Sequence, residues 1–221
     1  MLSCMTDIYT CEILSRQVRI SRREQQIACS EIQANEALEN TLPMQLQSIC
    51  SQLPWFRAVR FVLDTSLVNH LVVPWPEGVR TPSELRNYTI MLARQKFPHL
   101  SGKPLRVGFE DCRYQRNALA FVLEDTLWQS LYEITRDLKL RFSGVTTPLR
   151  DLLVTEQNGL AEEGIFVLSG DSGNIFACRS ESEWQQVYRM VLPDMPLEKQ
   201  VKLVSRLAGK NKAPTITGVE K

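Results

Sequence analysis

Runs in which apolar and polar residues alternate, separated by stretches with three- and four-residue apolar spacing, predict groups of strands divided by helices. Ile8 to Leu14 and Gln17 to Ser21 alternate on either side of Ser15-Arg16, which predicts a tight hairpin, and Gln25 to Ser30 supplies a third strand. Asn35 to Gln52 reads as helix, with Ala37, Leu38, Leu46 and Ile49 inward and a break or restart at Pro43. Arg57 to Leu63 and Leu67 to Val73 are two further strands, rich in Val and Leu, linked by Asp64-Thr65-Ser66.

The sharpest local signal is Thr81-Pro82-Ser83-Glu84, a capping box with Pro at the first helical position. The helix that starts there buries Leu85, Tyr88 and Leu92, and Pro98 stops it. Leu105 to Phe109 and Asn117 to Leu123 form a second strand pair. Asp125 then opens a helix in which Leu127, Trp128, Leu131, Ile134 and Leu138 recur at helical spacing. Thr147-Pro148 starts a shorter helix with Gly159 at its C′ position.

Ile165 to Ser169, Asn174 to Arg179 and Trp184 to Leu192 form a three-strand meander whose first turn is Gly170-Asp171-Ser172-Gly173. Pro196 begins the last helix, with Leu197, Val201, Val204 and Leu207 inward, and Gly209 ends it. A meander followed by a helix thus occurs twice, which predicts a mixed α/β protein of two similar halves. Residues 1–160 form the first half with an inserted strand–helix–strand subdomain, 161–208 a truncated second half, and 209–221 a flexible tail.

Composition narrows the function classes. Twenty-six Lys and Arg against 25 Asp and Glu give a net charge of +1, so there is no global electrostatic case for nucleic acid. No window approaches 18 consecutive apolar residues, and Met1 to Leu14 lacks a basic region followed by an apolar run; neither a membrane span nor a secretory signal is expected. The six cysteines contain no C-x-x-C pair, which fits reduced thiols in a cytoplasmic protein. The two histidines, His70 and His99, have no cysteine at ligand spacing, so no metal is expected. His70 lies in an apolar strand and reads as a packed side chain.

From about Arg57 to Leu192 the chain resembles the PilM-like family of type IV pilus assembly proteins, related to the cytoplasmic part of GspL in type II secretion. The residues that carry the resemblance are Leu71-Val72-Val73-Pro74-Trp75-Pro76 and the capped helix containing Ala93-Arg94 and Phe97. Ala118-Leu119-Ala120-Phe121-Val122 with the Trp128 helix and Leu138-Lys139-Leu140 follow, then Gly164-Ile165-Phe166-Val167-Leu168 and the meander through Trp184. The resemblance implies an actin-like (RNase H-like) α/β fold. It also implies a non-enzymatic adaptor, peripheral to the inner membrane, that binds the cytoplasmic segment of a PilN-like bitopic partner; a homo-oligomer is compatible with it.

Actin-like ATPases bring glycine-containing turns against phosphate. Here the Ser15-Arg16 turn has no glycine, and Asp171-Ser172-Gly173 meets the family's Asp-x-Gly-x-x-x-Thr pattern with Ala177 in place of Thr. With the last predicted helix ending near Leu207, no segment to hold adenosine is expected. No cofactor is therefore expected, the alternative being a nucleotide-binding ATPase that uses Asp171, Ser172 and Gly173. The same Gly-Asp-Ser-Gly run is also ordinary hairpin chemistry. For partner binding the candidates are Pro74, Trp75 and Pro76, where two prolines hold an aromatic in an extended loop, and Arg16 and Arg19 of the basic first hairpin. Trp75 as a cap on the core, and the arginines as a solvated face, are the plainer readings.

Overall fold

Alternation along the first three segments produces a meander in the computed structural model, which describes residues 7–23, 25–31, 38–47, 57–155, 160–170, 172–209 and 216–220. β1 (Asp7–Ile13) and β2 (Gln17–Arg22) are antiparallel, and β3 (Gln25–Glu31) follows on the outer side of β2. α1 (Leu38–Gln47) runs through Pro43 without the predicted break; Leu42 and Leu46, one turn apart, are both fully buried and anchor the helix around the proline. The expected outer turns, Asn35 to Ala37 and Ser48 to Gln52, lie outside the described residues.

β4 (Arg57–Leu63) returns parallel to β1, and β8 (Arg141–Thr146) pairs parallel with β4, giving the order β3-β2-β1-β4-β8. Parallel neighbours need a crossover, and α1 and α3 (Asp125–Asp137) occupy those connections. Tyr9, Cys11, Ile13, Val18, Ile20 and Phe61 are buried on one face of this sheet, and Leu131 is buried on α3. β8 was not expected from the sequence. Arg141 and Ser143 are exposed, Gly144 sits at φ +125°, and the pairing with β4 slips between Val59 and Arg60, so the strand has no clean alternation.

The chain divides into two compact units, 1–64 with 125–147 and 65–124 with 148–221. This corrects the predicted boundary near residue 160: the inserted segment belongs with the later meander. Its strands β5 (Asn69–Val73), β6 (Leu105–Asp111) and β7 (Ala118–Glu124) form the sheet β5-β7-β6, covered by α2 (Pro82–Lys96) through Leu85 and Ala93. Leu119 shares a core with α4 (Pro148–Thr155) and with Phe166, Ile175 and Trp184 of the later meander. That common core, together with a hydrogen bond from Arg150 of α4 to the carbonyl of Phe109, accounts for the grouping.

The later sheet has the order β11-β10-β9-β12, from β9 (Gly164–Ser169), β10 (Asn174–Ser180), β11 (Glu183–Met190) and β12 (Ile216–Glu220). Its other face packs Ile165, Val167 and Phe176 against Val201 and Val204 of α5 (Leu197–Leu207). β12 overturns the expected flexible tail at 209–221. Ile216, Thr217 and Val219 are β-branched, and the strand pairs in parallel with β9, Ile216 opposite Ile165. The second meander therefore continues as the first does: a three-strand meander, a helix, then a strand parallel to the first. Gly159 and residues 210–215 lie outside the described residues.

Candidate functional site

The turn between β9 and β10 is held by the chain itself. Gly173 N–H donates to Gly170 O at 3.0 Å, and Gly173 sits at φ +118°, where glycine is strongly favoured. A Cβ at this position would lie 2.6 Å from the carbonyl oxygen of Met190, so the missing side chain makes room for β11. Ser172 Oγ is hydrogen-bonded to Thr65 Oγ1 at 2.9 Å, and Arg189 Nη2 donates to Ser172 O at 3.0 Å. Asp171 lies outside the described residues. Ala177 is fully buried in β10. The Ser15-Arg16 turn closes with Leu14 N–H donating to Gln17 O at 2.9 Å, and both turn residues are exposed.

Trp75 is half-buried and tied down. Its indole N–H donates to Val79 O at 3.0 Å, and its ring meets Tyr114 edge-on with centroids 5.2 Å apart. The ring packs against the core under α2, with Pro74 exposed and Pro76 half-buried beside it. His70 is buried on β5, and its Nε2 is 3.1 Å from Glu110 Oε1 on β6, as expected of a packed histidine with a polar partner.

The arginines of the first hairpin divide in two. Arg19, opposite Glu12 in the β1–β2 register, places Nη1 3.4 Å from Glu12 Oε2. Arg22 grips Asp7 through Nη2 at 2.8 Å to both carboxylate oxygens; that carboxylate raises the guanidinium's already high pKa further. Arg16 and Arg23 are exposed. Counting outward from the turn sets Glu12 against Arg19, so the sequence already held the sign that this basic hairpin is part-neutralised.

What the sequence did not disclose is an open cleft of about 470 Å³ on the face of the first sheet opposite α1 and α3. Asp7, Ile8 and Thr10 of β1, Arg22 at the end of β2 and Arg23 just after it, Arg60 of β4 and Ser143 of β8 line it. These residues meet only because β4 lies parallel to β1, with Arg60 opposite Thr10. Among the described residues, no group of three His, Cys, Asp or Glu side chains is placed to hold a metal ion.

No protein-family model matches the sequence, and no curated protein does. Solved structures do match. A Bacteroides thetaiotaomicron protein described as having an actin-like ATPase fold and unknown function superposes with TM-score 0.62 at 11% identity, over 100% of this chain and 86% of its own. The fold is the actin-like ATPase fold. The cytoplasmic domain of EpsL, an inner-membrane component of the Vibrio cholerae type II secretion system, shares it with TM-score 0.51 at 13% identity, covering 97% and 86%. A chain of a PilM–PilN type IV pilus biogenesis complex does so with TM-score 0.54 at 12% identity, covering 92% of this chain and 66% of that one. At these identities the likeness establishes the fold alone. The actin-like fold also gives the two meanders their meaning, since each begins one of its repeated sheets.

Proposed function

We propose that this protein is a non-enzymatic scaffold of a type IV pilus or type II secretion-like assembly platform, which binds the cytoplasmic segment of a PilN-like membrane protein. Pilus and secretion components are among the structures that share its fold. The observation that favours a scaffold over an ATPase is the turn at Gly173, whose open side is filled by the Met190 carbonyl and whose serine is bonded to Thr65. A phosphate would need that backbone to be approachable. Partner binding then falls to the rim of Pro74, Trp75 and Pro76, with Tyr114 beside it, and to Arg16 and Arg19. The site of action is the cytoplasmic side of the inner membrane, reached through the partner; no helix among the described residues is long and apolar enough to cross a membrane.

Two measurements test the reading. Titration with a PilN-like N-terminal peptide should give saturable binding that weakens when Trp75 or Tyr114 is changed to Ala. A thermal melt with 1 mM Mg-ATP should leave the midpoint unmoved. A nucleotide bound with a dissociation constant near 10 μM would stabilise the fold by about 2.7 kcal/mol. That is a shift of roughly 5–10 °C for a chain of this size. Such a shift would return the protein to the nucleotide-binding class.

A further inference from the structure

α5 turns Val201 and Val204 into the core of the later sheet, and this fixes what its other sides present. Gln200, buried one turn before Val204, ties the helix to the connection that follows β11. Its Nε2 donates to Leu192 O at 3.2 Å and to Met195 O at 2.7 Å. Leu203 and Leu207, three and seven residues after Gln200, fall on the same flank of the helix. They are 37% and 54% exposed, and Val191 and Leu192 of the connection are 60% and 37% exposed. Four aliphatic side chains are thus left in water along one border of a packed helix. A basic row adjoins them. Lys199, four residues before Leu203, and Arg206, three after it, run beside the leucines, and Lys202 continues the row. All three are exposed, and among the described residues none of them is in an ion pair. Glu198, five residues before Leu203 and nine before Leu207, falls on the opposite side, and the connection adds one carboxylate, Asp194.

We propose that this border of α5 is a docking surface for an anionic lipid bilayer, with the helix lying along the membrane plane. The exposed leucines would enter the boundary between headgroups and acyl chains, while the basic row reaches the lipid phosphates. Lysine and arginine suit that position, because their stems lie along apolar surface while their charged ends stay in water. The two rows run the length of the helix, so one plane can meet both. A protein partner fits the chemistry less well. The cores of protein interfaces favour Tyr, Trp and Arg and are poor in Lys, and Leu and Val are under-represented among their energetic anchors. Neither α5 nor its connection to β11 contains an aromatic residue. Because Val201 and Val204 stay in the protein core, the contact is shallow and depends on the charge of the lipid. The proposal is independent of the pilus and secretion reading, since it requires no membrane-anchored partner.

The test is flotation of the full chain with vesicles of phosphatidylcholine alone or mixed equally with phosphatidylglycerol. The chain should float with the anionic vesicles and not with the neutral ones, and added salt should release it as the Debye length shortens. K199E/R206E should weaken the binding at least tenfold. L203S/L207S should weaken it at low salt while leaving the remaining binding salt-sensitive. R23E/R116E, the same change of charge at two exposed arginines elsewhere, should leave it unchanged. Circular dichroism and the melting midpoint confirm that the variants fold. Absence of flotation with anionic vesicles at low salt overturns the proposal, as does binding indifferent to L203S/L207S or weakened equally by R23E/R116E. Tighter binding of polyglutamate than of the vesicles, or self-association of the free chain that L203S/L207S abolishes, would assign the surface to a protein and overturn it equally.

Discussion

The indole N–H of Trp184 donates to Asp111 Oδ2 at 2.9 Å across 73 residues of sequence, tying β11 to the end of β6. The tryptophan is 2% exposed, and its backbone carbonyl accepts a second bond from Asn117 Nδ2 at 2.9 Å. Removing the carboxylate strands a buried donor, which costs about 1–3 kcal/mol. Asp111→Ala should therefore lower stability by that amount in urea unfolding followed by tryptophan fluorescence, and Asp111→Asn, which keeps an acceptor, should recover part of it. Equal losses in both variants would show that the bond contributes little.

A second close relationship lies one sheet away. Gly108 of β6 faces Phe121 of β7, and a Cβ at 108 would overlap the Phe121 ring. The ring covers the glycine in the manner of an aromatic rescue on an edge strand. Gly108→Ala should destabilise the protein by about 1–3 kcal/mol through overpacking. Phe121→Leu should cost something alone yet relieve the alanine, so the double variant should lose less than the two single losses together. Simple additivity would place the strain elsewhere.

Acid should weaken the start of α2. Thr81 Oγ1 accepts from Glu84 N at 3.2 Å, and Glu84 Oε2 accepts from the backbone N–H groups of Arg80 and Thr81 at 2.8 and 3.1 Å. Those backbone donors hold the Glu84 carboxyl below its usual range. A carboxyl depressed on folding contributes stability above its unfolded value, and that contribution disappears as the pH falls through the folded value. Wild type should thus exceed Glu84→Gln in stability at pH 6, with the difference closing below about pH 4, the unfolded carboxylate range. Denaturant midpoints across pH 3–6 measure this. Thr81→Ala should cost about 1 kcal/mol at neutral pH.

Thiol labelling should sort the cysteines by environment. Cys11 is buried, and burial, reinforced by the charge of Glu12, pushes its pKa up to about 12. Cys112 is exposed, but partial burial and the neighbouring Asp111 raise its pKa, with Arg86 acting in the other direction. Among the cysteines of the described residues, iodoacetamide at pH 8, read by peptide mass spectrometry, should label exposed Cys29 first and Cys112 more slowly. Cys11 and buried Cys178 should react only after denaturant is added.

The sequence disclosed what is local and missed what long-range pairing decides. The capping box at Thr81 appears with both of its reciprocal bonds, because every group involved lies within four residues. Both meanders are legible for the same reason, their turns being short. β8 and β12 were missed because each is recruited as a parallel neighbour by a distant strand, and that recruitment leaves little trace in a short run containing Gly144 or Gly218. The candidate sites divide likewise. The Gly170–Gly173 turn bond and the Trp75–Val79 bond could be suspected from local chemistry, whereas the bond from Ser172 to Thr65 and the arginine cleft need residues distant in sequence.

The three crossings between the units, after Asp64, Glu124 and Thr147, bear on how the protein is made. Neither unit is a continuous stretch of chain, so neither can be completed while the other is still unbegun. During synthesis the first sheet lacks β8 until the whole inserted segment has emerged, and β9 waits for β12 until α5 has passed. Over that interval β9, whose Ile165, Phe166, Val167 and Leu168 are all buried in the finished fold, has one side without its strand partner. Nascent chains stalled between 170 and 215 should be the ones most in need of a chaperone.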